Sequence, residues 1–232
     1  MNVVLTSIHS RHRYYTKMLC EKLDINLVIF EKKSQTQYLT GEEIKYFGDL
    51  RSWNPKCQFV TCEKGEINST EIEDKIRRSN PDVCFVFGTS ILKKNIFEIP
   101  RFGCVNIHTG LTQYYRGVDS AFWSIFEENL EGLGATIHSI NAGIDTGNVI
   151  YQVSPLIEAS DNYMSLFLKS CNAGFKEVFK NLEEITSGDY LKKAKSLKKG
   201  RLFVSRDKTI EKELIVKEKT KRVIEEYLNA KS

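Results

Sequence analysis

At 232 residues the chain has the length of one medium domain, or of one domain with a short appendage. A hydrophobic fraction of 41% and a charged fraction of 28% are those of a globular chain that buries enough surface to fold without disulfides or metal. With Lys plus Arg at 34 and Asp plus Glu at 30 the net charge is +4, well short of a dedicated nucleic-acid-binding domain. The apolar runs at 27–30 and 83–87 are far below the ~20 residues of a membrane helix.

The opening Met1-Asn2-Val3-Val4-Leu5 lacks the charged region and cleavage site of a signal peptide. Six cysteines, at 20, 57, 62, 84, 104 and 171, show no zinc-site spacing, and Cys84 and Cys104 sit in apolar runs. This predicts a reduced, cytoplasmic protein without a structural metal.

In chain order, Asn2–Ser7 reads as a buried strand, 13–23 as a helix, 26–30 as a second strand and 41–50 as a short helix or lid. Gln58–Cys62 reads as a third strand. Asn68 is placed as an N-cap with Glu71 closing a capping box, on a helix that stops before Pro81. A nearly all-apolar strand over 82–87 implies cover on both faces. Ser90 is expected to cap the next short helix, before a fifth strand over Cys104–His108. Strands alternating with helices predict an α/β fold with a twisted, mostly parallel sheet flanked by helices. Beyond residue 130 the pattern changes. Segments 134–141 and 149–156 are strand-like, and 163–185 has the periodicity of one long helix. Residues 1–187 then form the main domain. The Lys-rich residues 188–232 form a C-terminal extension with a strand or hairpin near 201–204 and a helix over 213–228.

Ligands of open α/β sheets bind beyond the carboxyl ends of the strands. Two such ends carry polar residues, Phe87-Gly88-Thr89-Ser90 and Asn106-Ile107-His108, and a turn reads Ala142-Gly143-Ile144-Asp145-Thr146-Gly147. Asn106 and His108, two apart on a strand, share a face. A His, a carboxamide and a carboxylate in one pocket suit acyl transfer to a nucleophile that the substrate supplies. A cationic His108 beside Asn106 would donate to a developing oxyanion, with Asp145 orienting the imidazole. The competing reading makes His108 a satisfied structural histidine and Asp145 a turn residue. Arg116 is either an anion ligand or half of a surface ion pair. His138 reads as a packed or edge residue. His9, Arg11, His12 and Arg13, after the first strand, mark either a helix N-terminus that holds a phosphate or a solvated face.

Taken together, Asn106-Ile107-His108-Thr109-Gly110-Leu111, Tyr115-Arg116-Gly117, Gly134-Ala135-Thr136-Ile137-His138 and Gly143-Ile144-Asp145-Thr146-Gly147 resemble the folate-dependent formyltransferase family. The resemblance covers roughly residues 80–155, and the N-terminal half by architecture. Its specific element is Asn-x-His followed 37 residues after the His by Asp in a Gly-Ile-Asp-Thr-Gly turn. It implies a formyltransferase-type, Rossmann-like domain that transfers a formyl group from 10-formyltetrahydrofolate to an amine. Asn106, His108 and Asp145 would be catalytic. Phe87, Gly88, Ile91, Leu92, Ile140, Gly143 and Ile144 would hold the pterin. Tyr115, Arg116, Arg11 and Arg13 would face the acceptor, and no metal is implied.

Where the family often carries Pro after the His and a Leu-Leu-Pro run, this chain has Thr109-Gly110-Leu111-Thr112-Gln113. The segment after the first strand lacks the glycine-bearing phosphate loop of glycinamide ribonucleotide formyltransferases. Residues 188–232 lack the strand series of the methionyl-tRNA enzymes' C-terminal barrel. The expected acceptor is therefore a nucleotide-linked 4-amino-4,6-dideoxysugar, with no nucleic acid or membrane partner, and a homodimer is compatible with the resemblance. The alternatives are a formyltetrahydrofolate hydrolase, whose family members usually carry an extra N-terminal domain, and a noncatalytic folate- or nucleotide-binding protein.

Overall fold

The computed structural model describes residues 1–231. Five parallel strands form the body of one twisted sheet: β1 (Asn2–Ser7), β2 (Ile25–Glu31), β3 (Gln58–Cys62), β4 (Val83–Phe87) and β5 (Cys104–His108). β7 (Ala135–Ser139) adds antiparallel to β5, and β8 (Val149–Val153) antiparallel to β7, giving the order β3-β2-β1-β4-β5-β7-β8. The mostly parallel sheet and its flanking helices agree with the sequence. So does the strand after 149, which extends the sheet.

The order reverses between β1 and β4, the topological switch point where open α/β sheets leave a crevice. β4 is buried throughout because both faces are covered. One face packs on α1 (Ser10–Lys22), α2 (Gln37–Phe47) and α6 (Tyr163–Lys180), centred on Tyr15, Phe47 and Phe175. The other packs on α3 (Thr70–Ser79) and α4 (Lys94–Phe97) through Ile72, Ile76 and Ile96. A third cluster joins α5 (Ser120–Phe126) to α8 (Ile210–Asn229), with β6 (Tyr115–Gly117) and β9 (Arg201–Phe203) paired in a two-stranded sheet. The C-terminal segment is thus folded back onto the core.

Several local expectations are corrected. The cap of α3 is Ser69, whose Oγ accepts from Ile72 N; Asn68 instead accepts from Lys93 N (2.7 Å) and donates to Ile91 O (3.0 Å). Ser90 caps nothing, since α4 begins after Lys93 and the Ser90 amide donates to Glu31 Oε2 (2.6 Å). Asn68 and the fully buried Glu31 thereby fix the loop after β4 from both sides. The long C-terminal helix of the main domain breaks at Asn181 into α6 and α7 (Leu182–Ser187). The segment expected as a short helix or lid over 41–50 is the helix α2, which starts earlier, at Gln37 after the Thr36 cap, and ends at Phe47. Among the described residues no helix is long and apolar enough to cross a membrane.

Candidate active site

Alternation along β5 puts Asn106 and His108 on one face, and antiparallel pairing sets His138 opposite Asn106 and Thr136 opposite His108. Asp145 arrives on the turn after β7 with φ 49°, a left-handed conformation that Asp tolerates better than most residues. Its Oδ2 accepts the Gly117 amide (2.7 Å) and lies 3.3 Å from His108 Nδ1, while its Oδ1 lies 3.5 Å from His138 Nε2. Asn106 Nδ2 stands 3.1 Å from His138 Nε2, and His138 Nδ1 donates to Ser139 O (2.8 Å). Behind this layer, His108 Nε2 is 3.0 Å from Tyr115 O and 3.1 Å from Ser120 Oγ.

The three sequence-predicted groups therefore converge, and the structure adds His138 and Ser120. A polar pair, Thr136 and His138, on one face of an otherwise apolar strand was the available signal. Ser120, at the start of a helix of apolar residues, carried none.

The electrostatics of the cluster are set by burial and by the Asp145 carboxylate. Burial pushes the His108 imidazole down from the ordinary histidine value, against the opposing pull of Asp145 and the Tyr115 carbonyl. Burial would raise the Asp145 carboxyl, but His108, His138 and the Gly117 amide outweigh it and hold the group well below the usual carboxylate range.

A cavity of 320 Å³ opens over this cluster. Asn106, His138 and Asp145 line it, with Ile91, Leu92, Ile140, Gly143 and Ile144 of the predicted pterin set. His108 stands behind the lining, 6% exposed. Phe203, Val204 and Ser205 of the C-terminal segment close one side. The apolar walls and few convergent polar groups suit a flat heteroaromatic ligand. Among the described residues no cluster could hold a metal ion.

Other predicted contacts are redirected. Phe87 is buried against His12 and Phe175 rather than on the wall of this cavity, and Gly88 faces a neighbouring cavity. Gly88 has φ +73°, and a Cβ there would collide with the His12 ring. Tyr115 is a core residue whose carbonyl faces His108. Arg116 donates to Gly200 O (2.9 Å) and Ile144 O (3.1 Å), clamping the Asp145 turn to the C-terminal segment. Arg13 is spent on Ile8 O (2.9 Å) and Asn54 Oδ1 (3.0 Å) and lies over the Phe30 ring. Arg11 pairs with the buried Glu43 yet still lines the neighbouring cavity.

Comparison with known proteins agrees with this geometry. A methionyl-tRNA formyltransferase of Wolbachia pipientis is 34% identical over 131 residues, 56% of this chain and 44% of that protein. The chain thus spans less than half the length of the curated relative it matches. Likeness of fold extends further along the chain. A sugar N-formyltransferase from Shewanella superposes with a TM-score of 0.66 at 15% identity, covering 93% of this chain and 86% of that one. An N-formyltransferase from Helicobacter canadensis, solved with folinic acid and dTDP-3-aminofucose, superposes with a TM-score of 0.62 at 18% identity, covering 90% and 72%. Residues 12–175 match the formyl transferase family, a stretch that holds the whole cluster of Asn106, His108, His138 and Asp145, and the chain belongs to that family.

Proposed function

We propose that the protein transfers a formyl group from 10-formyltetrahydrofolate to the amine of a nucleotide-linked amino sugar of the 4-amino-4,6-dideoxy class. The observation that carries this reading is the Asn106–His138–Asp145 layer at the floor of the 320 Å³ cavity. The pterin lies against Ile91, Leu92, Ile140 and Ile144, which leaves the formyl carbon over the polar floor. The acceptor nitrogen attacks that carbon, the new C–N bond forms and the bond to N10 breaks. One proton passes from the acceptor nitrogen to N10.

Asn106 donates to the formyl oxygen as it gains charge, from a fixed position that needs no reorganisation. Asp145, facing the cavity between two imidazoles, takes the proton from the tetrahedral adduct and returns it to N10. His108 acts through Asp145 as a positioning residue: its Nδ1 faces Asp145 Oδ2 (3.3 Å), and its Nε2 is held by Tyr115 O (3.0 Å) and Ser120 Oγ (3.1 Å).

One observation supports a sugar acceptor over methionyl-tRNA, which the curated relative's name raises. The likeness of fold spans nine-tenths of the chain in proteins named as sugar N-formyltransferases or solved with a nucleotide sugar. The test follows tetrahydrofolate release with a panel of nucleotide-linked amino sugars and with methionyl-tRNA. Turnover of a nucleotide sugar is expected, and turnover of methionyl-tRNA alone would overturn the reading.

A further inference from the structure

The turn that carries Asp145 is held in two ways. Within it, Asn141 Oδ1 accepts from Gly143 N (3.0 Å) and Thr146 Oγ1 (2.7 Å). These local bonds shape the turn without tying it to β5, which carries Asn106 and His108. From outside, the short strand β6 grips it: Gly117 N donates to Asp145 Oδ2 (2.7 Å) and Arg116 Nη1 to Ile144 O (3.1 Å). Asp145 sits at φ 49°, a backbone state that persists only where the surroundings over-determine it.

Arg116 is itself braced. Its Nε donates to Gly200 O (2.9 Å), so one guanidinium joins carbonyls from two distant parts of the chain. The Gly200 end is fixed by its own bonds: Gly200 N donates to Thr112 O (2.9 Å), Arg201 N to Tyr114 O (2.9 Å) and Val118 N to Phe203 O (3.1 Å), around the pairing of β6 with β9. The Phe203 ring stacks on Trp123 with centroids 4.0 Å apart, which anchors β9 in the third core cluster. Two glycines permit the close approach. A Cβ on Gly117 would lie 2.0 Å from Phe203 O, and one on Gly200 would lie 2.3 Å from Tyr114 O. Gly200 and β9 lie beyond residues 12–175, outside the stretch that matches the family.

We propose that Arg116 is a positioning residue for Asp145, and that the C-terminal segment, through the Gly200 carbonyl, is the fixed point against which it holds the turn. The inference rests on the reading above, in which Asp145 takes the proton and returns it. A guanidinium carries its donors in a rigid planar fork, so it sets the spacing of two carbonyls, which the compact ammonium of a Lys does not. Gly117 lines the cavity and Arg116 does not, so the effect of Arg116 reaches the reaction through the carboxylate it places. A shift of about 1 Å in a catalytic group costs about 100-fold in rate. The brace therefore governs kcat and leaves the affinity for both substrates alone.

The test uses the full chain as wild type, Arg116→Ala, Gly200→Ala, Asp145→Asn, and Arg116→Ala combined with Asp145→Asn. Amide hydrogen exchange followed by NMR reads the hold on the turn without any acceptor, because the Gly117 amide is bonded to Asp145. In Arg116→Ala and in Gly200→Ala that amide exchanges about 10-fold faster or more, while the amides of Val4 and Leu5 in β1 keep their wild-type rates. In transfer to a nucleotide-linked amino sugar, Arg116→Ala lowers kcat roughly 100-fold and keeps both KM values within a few-fold. In the Asp145→Asn background the same change costs less than about 3-fold, because no carboxylate is left to position; a general loss of stability would cost the same in both backgrounds. A Gly117 amide as protected in Arg116→Ala as in wild type overturns the inference. So does the full loss repeated in the Asp145→Asn background, or a raised acceptor KM with kcat kept. An unmoved amide in Gly200→Ala alone overturns the part given to the C-terminal segment. If Asp145→Asn transfers at the wild-type rate, the catalytic reading fails, and a freed Gly117 amide in Arg116→Ala still shows the brace.

Discussion

The two cavities that meet across Gly88 and Thr89 treat their polar groups in opposite ways. On the donor side Asn106, His108, His138 and Asp145 are bound to one another and to Gly117, Tyr115 and Ser120, so nearly every ring nitrogen and carboxylate oxygen has a partner. On the side of the neighbouring cavity, Arg11 is paired with Glu43 and Gln35, but Arg11 Nε, His9 Nε2 and His12 Nδ1 are buried without a partner. The difference separates two tasks. Groups that stabilise charge developing during a reaction act best when already fixed, because they need no reorganisation. Groups that recognise a ligand must keep donors and acceptors free until it arrives.

The strongest way to break the comparison is to remove a fixed donor. Asn106→Ala should lower kcat by about 100- to 1000-fold while KM for the formyl donor changes little; a variant within a few-fold of wild type would remove Asn106 from the chemistry. Next comes the wall between the cavities. Gly88→Ala places a side chain at φ +73° against the His12 ring, and such strain costs about 1–3 kcal/mol. Thermal unfolding should fall by roughly 2–10 °C, and an unchanged Tm would show that the wall yields easily.

The smaller effects concern pH. Folded-state values lie below 6.5 for His9 (about 4), His12 and His108, chiefly through burial. Between those values and 6.5 the unfolded chain binds more protons than the folded one, so stability rises with pH across that window. The depressed Asp145 carboxyl adds stability that is present above the ordinary carboxylate range and lost only in stronger acid. The Tm should therefore begin to fall as pH drops below about 6.5; a Tm flat from pH 6.5 to 5 would contradict the burial of these rings as neutral groups. Turnover should rise with pH as the acceptor amine and His108 lose protons, with no alkaline decline from loss of an imidazolium. An alkaline limb that disappears in His108→Ala would reinstate the cationic ring.

The donor side was legible in the sequence because its signals are local. Period-two alternation puts Asn106 and His108 on one face, and a Gly-flanked turn carries Asp145. His138 was read as a packed residue because only the antiparallel register of β5 and β7 brings it opposite Asn106. The neighbouring cavity was less legible, since residues at the starts of α1, α2, α5, α6 and α8 build it, and these lie far apart in the sequence. Arg116 and Arg13 looked like ligands in the sequence. Their guanidinium groups instead hold backbone carbonyls, a choice that depends on which carbonyls the fold leaves within reach. Buried Glu31 gave no local sign of fixing the loop after β4, because it acts across the sheet on Gly65 and Ser90.

The most direct measurement is single-turnover formyl transfer from 10-formyltetrahydrofolate to a nucleotide-linked amino sugar, comparing wild type with Asp145→Asn. Asn keeps the size of the side chain but removes the charge that faces two imidazoles and the carboxylate that takes the proton. A loss of roughly 100- to 10,000-fold in the transfer rate is expected, with donor affinity kept within a few-fold. Transfer by Asp145→Asn at the wild-type rate would contradict the assignment of this cluster as the centre of the reaction.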